Sequence, residues 1–191
     1  MRLAAALLGA AALLAGCGGS TAEERAKDSF GVYREAQGTR TGAENVLGGV
    51  FHDISAAAGA RDRAGVMAAV TRGKQALANI YSSLKVEIGA AEALAAYEPT
   101  RTDGVRLRGA LRRSRAGARL VDRQLEIAAR DPFLDAGVNA REVSRLSSES
   151  TRVSVPAEFT RRRAVRAIAL TLGVQPPIDV IFDGPQANSG G

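Results

Sequence analysis

Acid–base, nucleophilic and metal chemistry draw on histidine, cysteine, carboxylates and activated hydroxyls, and this chain is poor in the first two. Its 191 residues include one histidine and one cysteine. His52 stands beside Asp53. Adjacent helical residues point about 100° apart, so this pair cannot face one another as a base and its orienting carboxylate. A single histidine also falls short of the two Glu-x-x-His motifs of a di-iron bundle. There is no Gly-x-Ser-x-Gly elbow, no Gly-rich phosphate loop and no dinucleotide fingerprint. Serines are numerous, but none has a candidate base beside it. Glu87 falls at the edge of an apolar helical stripe near Lys85. It reads as a solvated flank residue, although a half-buried carboxylate there could have a tuned pKa. These residues predict a protein that is not an enzyme.

Arginine is the residue type in excess, 23 against 3 lysines. Residues 101–130 hold nine Arg and three acids (Asp103, Asp122, Glu126), a net +6 that equals the formal charge of the whole chain. On a helix, Arg108, Arg112, Arg115, Arg119 and Arg123 fall within an arc of about 80°. A second cluster is Arg161, Arg162, Arg163 and Arg166. The plainer reading is a solvated face, partly paired at i,i+3 and i,i+4 with Asp122 and Glu126. The sharper one is an anion-binding surface. No aromatics interleave the arginines, and nucleic acid is not the expected ligand. GC-rich coding, which favours Ala, Gly and Arg together, accounts equally for the excess.

The N-terminus carries the most specific motif. Arg2 precedes an uncharged apolar run of 13 residues, Leu3 to Ala15. As a helix that run spans about 20 Å, short of the roughly 30 Å hydrocarbon core, so it reads as a signal peptide and not a membrane span. It ends in Leu14-Ala15-Gly16-Cys17. This stretch resembles the lipobox of bacterial lipoprotein precursors: a Leu, two small residues and the Cys. The resemblance covers residues 1–17. It implies diacylglyceryl transfer to the Cys17 thiol and cleavage between Gly16 and Cys17, giving a lipid-anchored protein on the exported side of a bacterial membrane. Gly18 in place of Asp implies, in a host with two membranes, that inner-membrane retention is disfavoured. Cys17 is the lone cysteine, so no disulfide competes for it, and zinc, iron–sulfur and haem sites lack cysteine ligands. No metal and no cofactor are expected.

Holding such residues in place falls to helices. Aromatics are few, five Phe, three Tyr and no Trp, so the core must be mostly Ala, Leu, Val and Ile. Thr21 with Glu24 forms a capping-box signature that opens a helix to about Gly38. Thr41 with Glu44 repeats it and predicts a second helix to Gly59, with Leu47, Val50, Phe51, Ile54 and Ala58 at helical spacing. Asp62 caps a third over 62–98, whose stripe runs Val66, Val70, Leu77, Ile80, Leu84, Ile88, Ala91, Leu94, and Pro99 ends it. A fourth spans 103–130 with Leu107, Leu111, Ala118, Val121, Leu125 and Ala128. Asn139 with Glu142 predicts a short polar helix over 140–152, and Pro156 the first turn of another to Leu172. Residues 174–183 predict an extended strap, and 184–191 a disordered tail. Glycines inside these helices (Gly31, Gly48, Gly49, Gly65, Gly73, Gly89, Gly109, Gly117) either admit close helix contacts or reflect coding bias.

The expectation is therefore an all-α antiparallel bundle of about four main helices plus a short one, with an extended C-terminal strap. Its parts are a signal peptide (1–16), lipidated Cys17 with a linker (17–21), a helical domain (22–173), the strap (174–183) and the tail (184–191). The expected function is a non-enzymatic binding or scaffolding domain that meets an unidentified protein partner. The first alternative is a module that binds anionic lipid headgroups or envelope polymers through Arg108, Arg112, Arg115, Arg119 and Arg123; the second is an envelope enzyme.

Overall fold

The computed structural model describes residues 20–134 and 137–177. They form four helices and no strand: α1 (Ala22–Gly59), α2 (Arg63–Ala96), α3 (Arg101–Arg130) and α4 (Gly137–Leu172), with one 3₁₀ turn at Glu98–Thr100. The fold is an antiparallel all-α bundle. α1 packs on α2, α2 on α3 and α3 on α4, whereas α1 and α4 barely touch. The start of α1, the α2–α3 link and the end of α4 share one end of the bundle. Among the described residues no helix is long and apolar enough to cross a membrane.

Local chemistry explains the ends. Thr21 caps α1 with the expected box, its hydroxyl accepting from Glu24 N–H (3.1 Å) while the Glu24 carboxylate accepts from Thr21 N–H (2.6 Å). α1 ends at Gly59, as expected, but Gly59 is not the left-handed residue that closes it. Arg61 takes the left-handed conformation (φ 55°) beyond the last turn, and the Arg61 and Asp62 N–H groups return to the Ala58 and Ala57 carbonyls. That is a Schellman closure with arginine where glycine is usual. Asp62 then caps α2 by accepting from Gly65 N–H at 2.9 Å. α2 ends two residues before the expected 98, since Tyr97 is already extended. The Thr100 hydroxyl donates to the Leu94 carbonyl at 2.6 Å and seals that end. α3 starts at Arg101, two residues earlier than expected. Gly173 (φ 63°) closes α4 in a second Schellman motif, its N–H on the Leu170 carbonyl and that of Val174 on Ala169.

Two predicted breaks are absent. α1 runs straight through Thr41, where Glu44 bonds Arg40 and not the Thr41 backbone. α4 runs through Pro156. The proline removes the donor that the Arg152 carbonyl would use, and Arg152 is exposed, so water can reach that carbonyl. Asn139 is no cap; its side-chain amide donates to Asp131 at 2.9 Å, and α4 begins at Gly137. Of the strap, Val174 to Pro177 are described: they are not helical, and Val174 packs on the core. The rest of the strap, the tail and the whole of 1–19 lie outside the described residues.

Much of the predicted set is core, with Val66, Leu77, Leu84, Leu94, Leu107, Leu111, Leu125, Val165 and Ile168 all buried, whereas Leu47, Phe51, Ile54, Ala58, Ile88, Ala118 and Val121 are partly buried against it. The glycines divide. A Cβ on Gly73 would meet Leu125 and Val50, and one on Gly117 would overlap the Ser154 hydroxyl. Gly31, Gly48, Gly49 and Gly89 face open space. The tightest approach to backbone is at Gly104, where a Cβ would lie 2.5 Å from Ala95 N and 2.7 Å from Ala95 Cα.

Candidate functional site

Because α1 and α4 do not close on one another, a cleft of about 520 Å³ runs down the middle of the bundle between them. Its α4 wall extends from Ser150 to Arg162, twelve helical rises or about 18 Å. Leu47, Leu77, Ile80, Leu84 and Val121 supply apolar walls, and Ser114, Ser150 and Ser154 polar ones. Arg40, Glu44, Glu158, Arg161 and Arg162 gather at one end.

That end belongs to a buried ionic network. Arg40 projects from the core face of α1 with a side chain 5% exposed, and its Nε donates to Glu87 Oε1 at 2.7 Å. Glu87, on α2, is fully buried, not the solvated flank its neighbourhood suggested. Arg40 Nη1 donates to half-exposed Glu44 at 2.6 Å. Arg161, from α4, is 2% exposed and donates to Glu158 through Nε and Nη2 (2.7 and 2.6 Å) and to the Tyr33 hydroxyl through Nη1 (2.9 Å). Arg162 Nε shares Glu158 at 2.8 Å. Tyr33 stacks on Phe30 at 6.0 Å between ring centroids, which fixes the phenol. Two buried acceptors, Gln37 Oε1 and Glu87 Oε2, have no hydrogen-bond partner.

The electrostatics follow from burial set against pairing. Loss of water pushes the Glu87 carboxyl above its ordinary range, and Arg40 offsets only part of that. Burial also raises the Tyr33 phenol, which Arg161 pulls back incompletely. Burial opposes the charge on Arg40 and Arg161, but Glu87 and Glu44 outweigh it for the first, and Glu158 and Tyr33 for the second, so both are held more firmly protonated than usual. Burial would raise Glu158, yet its hydrogen bonds and charge contacts with Arg161 and Arg162 bring it down to about 2.

The residues singled out from sequence scatter. Gly16 and Cys17 lie outside the described residues. Arg108 and Arg112 turn to α2, where Glu92 takes them at 3.9 and 3.3 Å. Arg115, Arg119 and Arg123 are exposed on α3. Asp122 and Glu126 do not pair along α3; they hold Lys74 of α2, at 2.5 and 3.6 Å. The second cluster divides, Arg161 inward and Arg163 and Arg166 outward. His52 is exposed, and Asp53 pairs with Arg72 instead of the histidine. Among the described residues no group of three or more His, Cys, Asp or Glu is arranged to hold a metal ion. Sequence reasoning missed Tyr33, Gln37 and Arg40 as a site and gave Glu87 the wrong environment. No family model, curated protein or solved structure matches this chain.

Proposed function

We propose that this chain is a lipid-anchored protein on the exported side of a bacterial membrane, tethered through Cys17, and that its bundle is a non-catalytic binding module. The observation that carries the second half is the inter-helix cleft, walled by apolar side chains and serines and charged at one end. Three of the charged groups lining that end hold fixed protonation states, with Glu158 near 2 and Arg40 and Arg161 raised. General acid–base catalysis needs a group poised near the working pH; fixed charges suit recognition. The first half rests on the lipobox. Thr21 caps α1 only four residues after Cys17, which sets the α1-start end of the bundle close to the bilayer.

The test is a photo-cross-linking residue at Val155, which is 47% exposed beside the cleft, in the full-length protein irradiated in its own membrane. Capture is expected at position 155 and not at exposed Ala68 on α2, and Cys17→Ala should leave an unprocessed chain without diacylglyceryl. Equal labelling at both positions would overturn the binding reading. A second reading, anion binding by α3, is favoured by one observation: Arg115, Arg119 and Arg123 are exposed with no ion pair of their own. Reversing all three charges should then reduce binding to anionic vesicles and leave neutral vesicles unchanged.

A further inference from the structure

We infer that the cleft takes the tail of a single-chain amphiphile, its anionic head seated on Arg40. This deepens the binding-module reading above and rests on it. The argument begins with the shape. The space is a trough along the helix axes, walled by Leu47, Leu77, Ile80, Leu84 and Val121 with Ser114, Ser150 and Ser154 among them, and its charged groups are concentrated at one end. A flat or globular ligand would need a broad floor; a trough with one charged end orders a chain with one polar terminus. Its volume falls in the range of roughly 300–1,000 Å³ usual for small-ligand sites.

Arg40 supplies the recognition. Of the guanidiniums there, that of Arg161 has all three nitrogens bonded, to Glu158 and Tyr33. It braces α4 against α1. Arg40 uses Nε on Glu87 and Nη1 on Glu44, and its Nη2 has no hydrogen-bond partner among the described residues. That nitrogen is not sealed in the core, and the residue lines the cleft. A donor on a side chain 95% buried, opening on an apolar trough, calls for an acceptor that arrives with apolar surface attached. Glu44 is 45% exposed, so its carboxylate can swing into water and yield Nη1 as well. The head would then be held by two parallel N–H groups, the fork geometry that favours carboxylate and phosphate. Glu87 cannot leave, since it is fully buried; it fixes the guanidinium plane. Carboxylate and phosphate monoester heads share this chemistry, and the tail is recognised by the walls.

The chain has no tryptophan, so Val155→Trp gives a fluorescence reporter without background. A chain begun at Ser20 starts just before the Thr21 cap of α1, so it retains all four helices and omits the lipid. Laurate, dodecyl phosphate, dodecanol and acetate are titrated separately. Laurate, dodecyl phosphate or both should saturate at one per chain, and which of them binds more tightly names the head. Dodecanol should bind at least tenfold more weakly, and acetate not at all. The double variant Arg40→Gln with Glu87→Gln removes both charges together, so neither is left buried alone. It should bring the anionic amphiphiles to the dodecanol level and leave dodecanol unchanged. Ala118→Phe, on the cleft wall, should abolish binding of all three amphiphiles. Urea midpoints confirm that each variant is folded. Equal affinity for laurate and dodecanol, an unaffected double variant, or binding that survives Ala118→Phe would overturn the inference. If no amphiphile binds while position 155 still captures a partner in the native membrane, this inference falls and the binding-module reading stands.

Discussion

Arg40 and Glu87 form an ion pair with both side chains in the core, 5% and 0% exposed, and their energetics can be worked out in advance. A buried pair contributes little net stability, because two desolvation costs offset the attraction, but removing one partner leaves an uncompensated charge at about 3–5 kcal/mol. The structure refines that range. Glu87→Leu leaves Arg40 with Glu44, which is 2.6 Å away and near water, so the loss should sit at the low end, about 3 kcal/mol. Arg40→Met leaves Glu87 with only the more distant charge of Arg161, so its loss at pH 7 should be nearer 4 kcal/mol. The double variant Arg40→Met with Glu87→Leu should return to within about 1 kcal/mol of the parent. Urea unfolding of all four proteins gives the cycle.

The pH dependence identifies which charge is at fault. The folded pKa of Glu87 is raised above the 4.5 of the unfolded chain, and losing Arg40 raises it further. Between those two values the native state holds one more proton than the unfolded state. Stability in Arg40→Met should therefore rise as pH falls from 7 to 5, by up to about 1.4 kcal/mol per pH unit. Glu87→Leu, which lacks the group, should show no such recovery. An Arg40→Met deficit as large at pH 5 as at pH 7, or a double variant as unstable as either single one, would refute the account.

Three further outcomes are expected. Gly104→Ala places a methyl against the Ala95 backbone at 2.5–2.7 Å, where no side chain can move aside, and should cost about 2 kcal/mol by thermal or urea unfolding despite its gain in helix propensity, whereas Gly31→Ala, in open space, should gain up to about 1 kcal/mol. Glu158, held at about 2 against an ordinary 4.5, stabilises the fold above pH 4.5 and ceases to as pH falls toward 2; its side chain is 35% exposed, so solvent screening reduces this to about 1 kcal/mol, which Glu158→Gln should remove from the acid limb of the stability profile. The lipobox predicts an N-terminal peptide that begins at diacylglyceryl-Cys17 in mass spectra, and in Cys17→Ala an unprocessed Met1.

The helices and most of the core were legible because apolar period alone decides them: Val66, Val70, Leu77, Ile80, Leu84, Ala91 and Leu94 line one face whatever the neighbours do. The breaks were not, because capping signatures are short and also occur inside helices. Thr41 and Glu44 satisfy the spacing of a box, yet on a continuous helix Glu44 lies one turn from Arg40 and bonds it instead. Pro156 mimics a first-turn proline equally well. A local motif of two residues lost to a pattern of thirty.

The same longer pattern contains the site. With α1 unbroken, its core face reads Ala26, Phe30, Tyr33, Gln37, Arg40, Leu47 and Val50, a heptad-like series with two polar members in register. In α2, Gly73 and Glu87 fall at the positions that complete Val66, Val70, Leu77, Ile80, Leu84, Ala91 and Leu94. In α4, Arg161 stands in line with Leu146, Ala157, Ala164, Ile168 and Leu172. A charged residue at a seam position is costly unless another seam supplies its partner, and this chain has one acid and two arginines at such positions on three different helices. Judged helix by helix, each looks like a flank residue that strayed; taken together they require one another, since Glu87 is tolerable in the core only if α1 delivers Arg40 to it. A polar group at a seam position can fix register at a cost in stability. Arg40 on Glu87 sets α1 against α2, and Arg161 on Tyr33 sets α4 against α1, a pair of helices that barely touch. Apolar packing alone would draw that pair together and fill the trough. Bracing by a few long polar side chains holds α1 and α4 at a defined spacing while the space beside them stays open, which is the condition a cleft between helices needs in order to exist in the folded state.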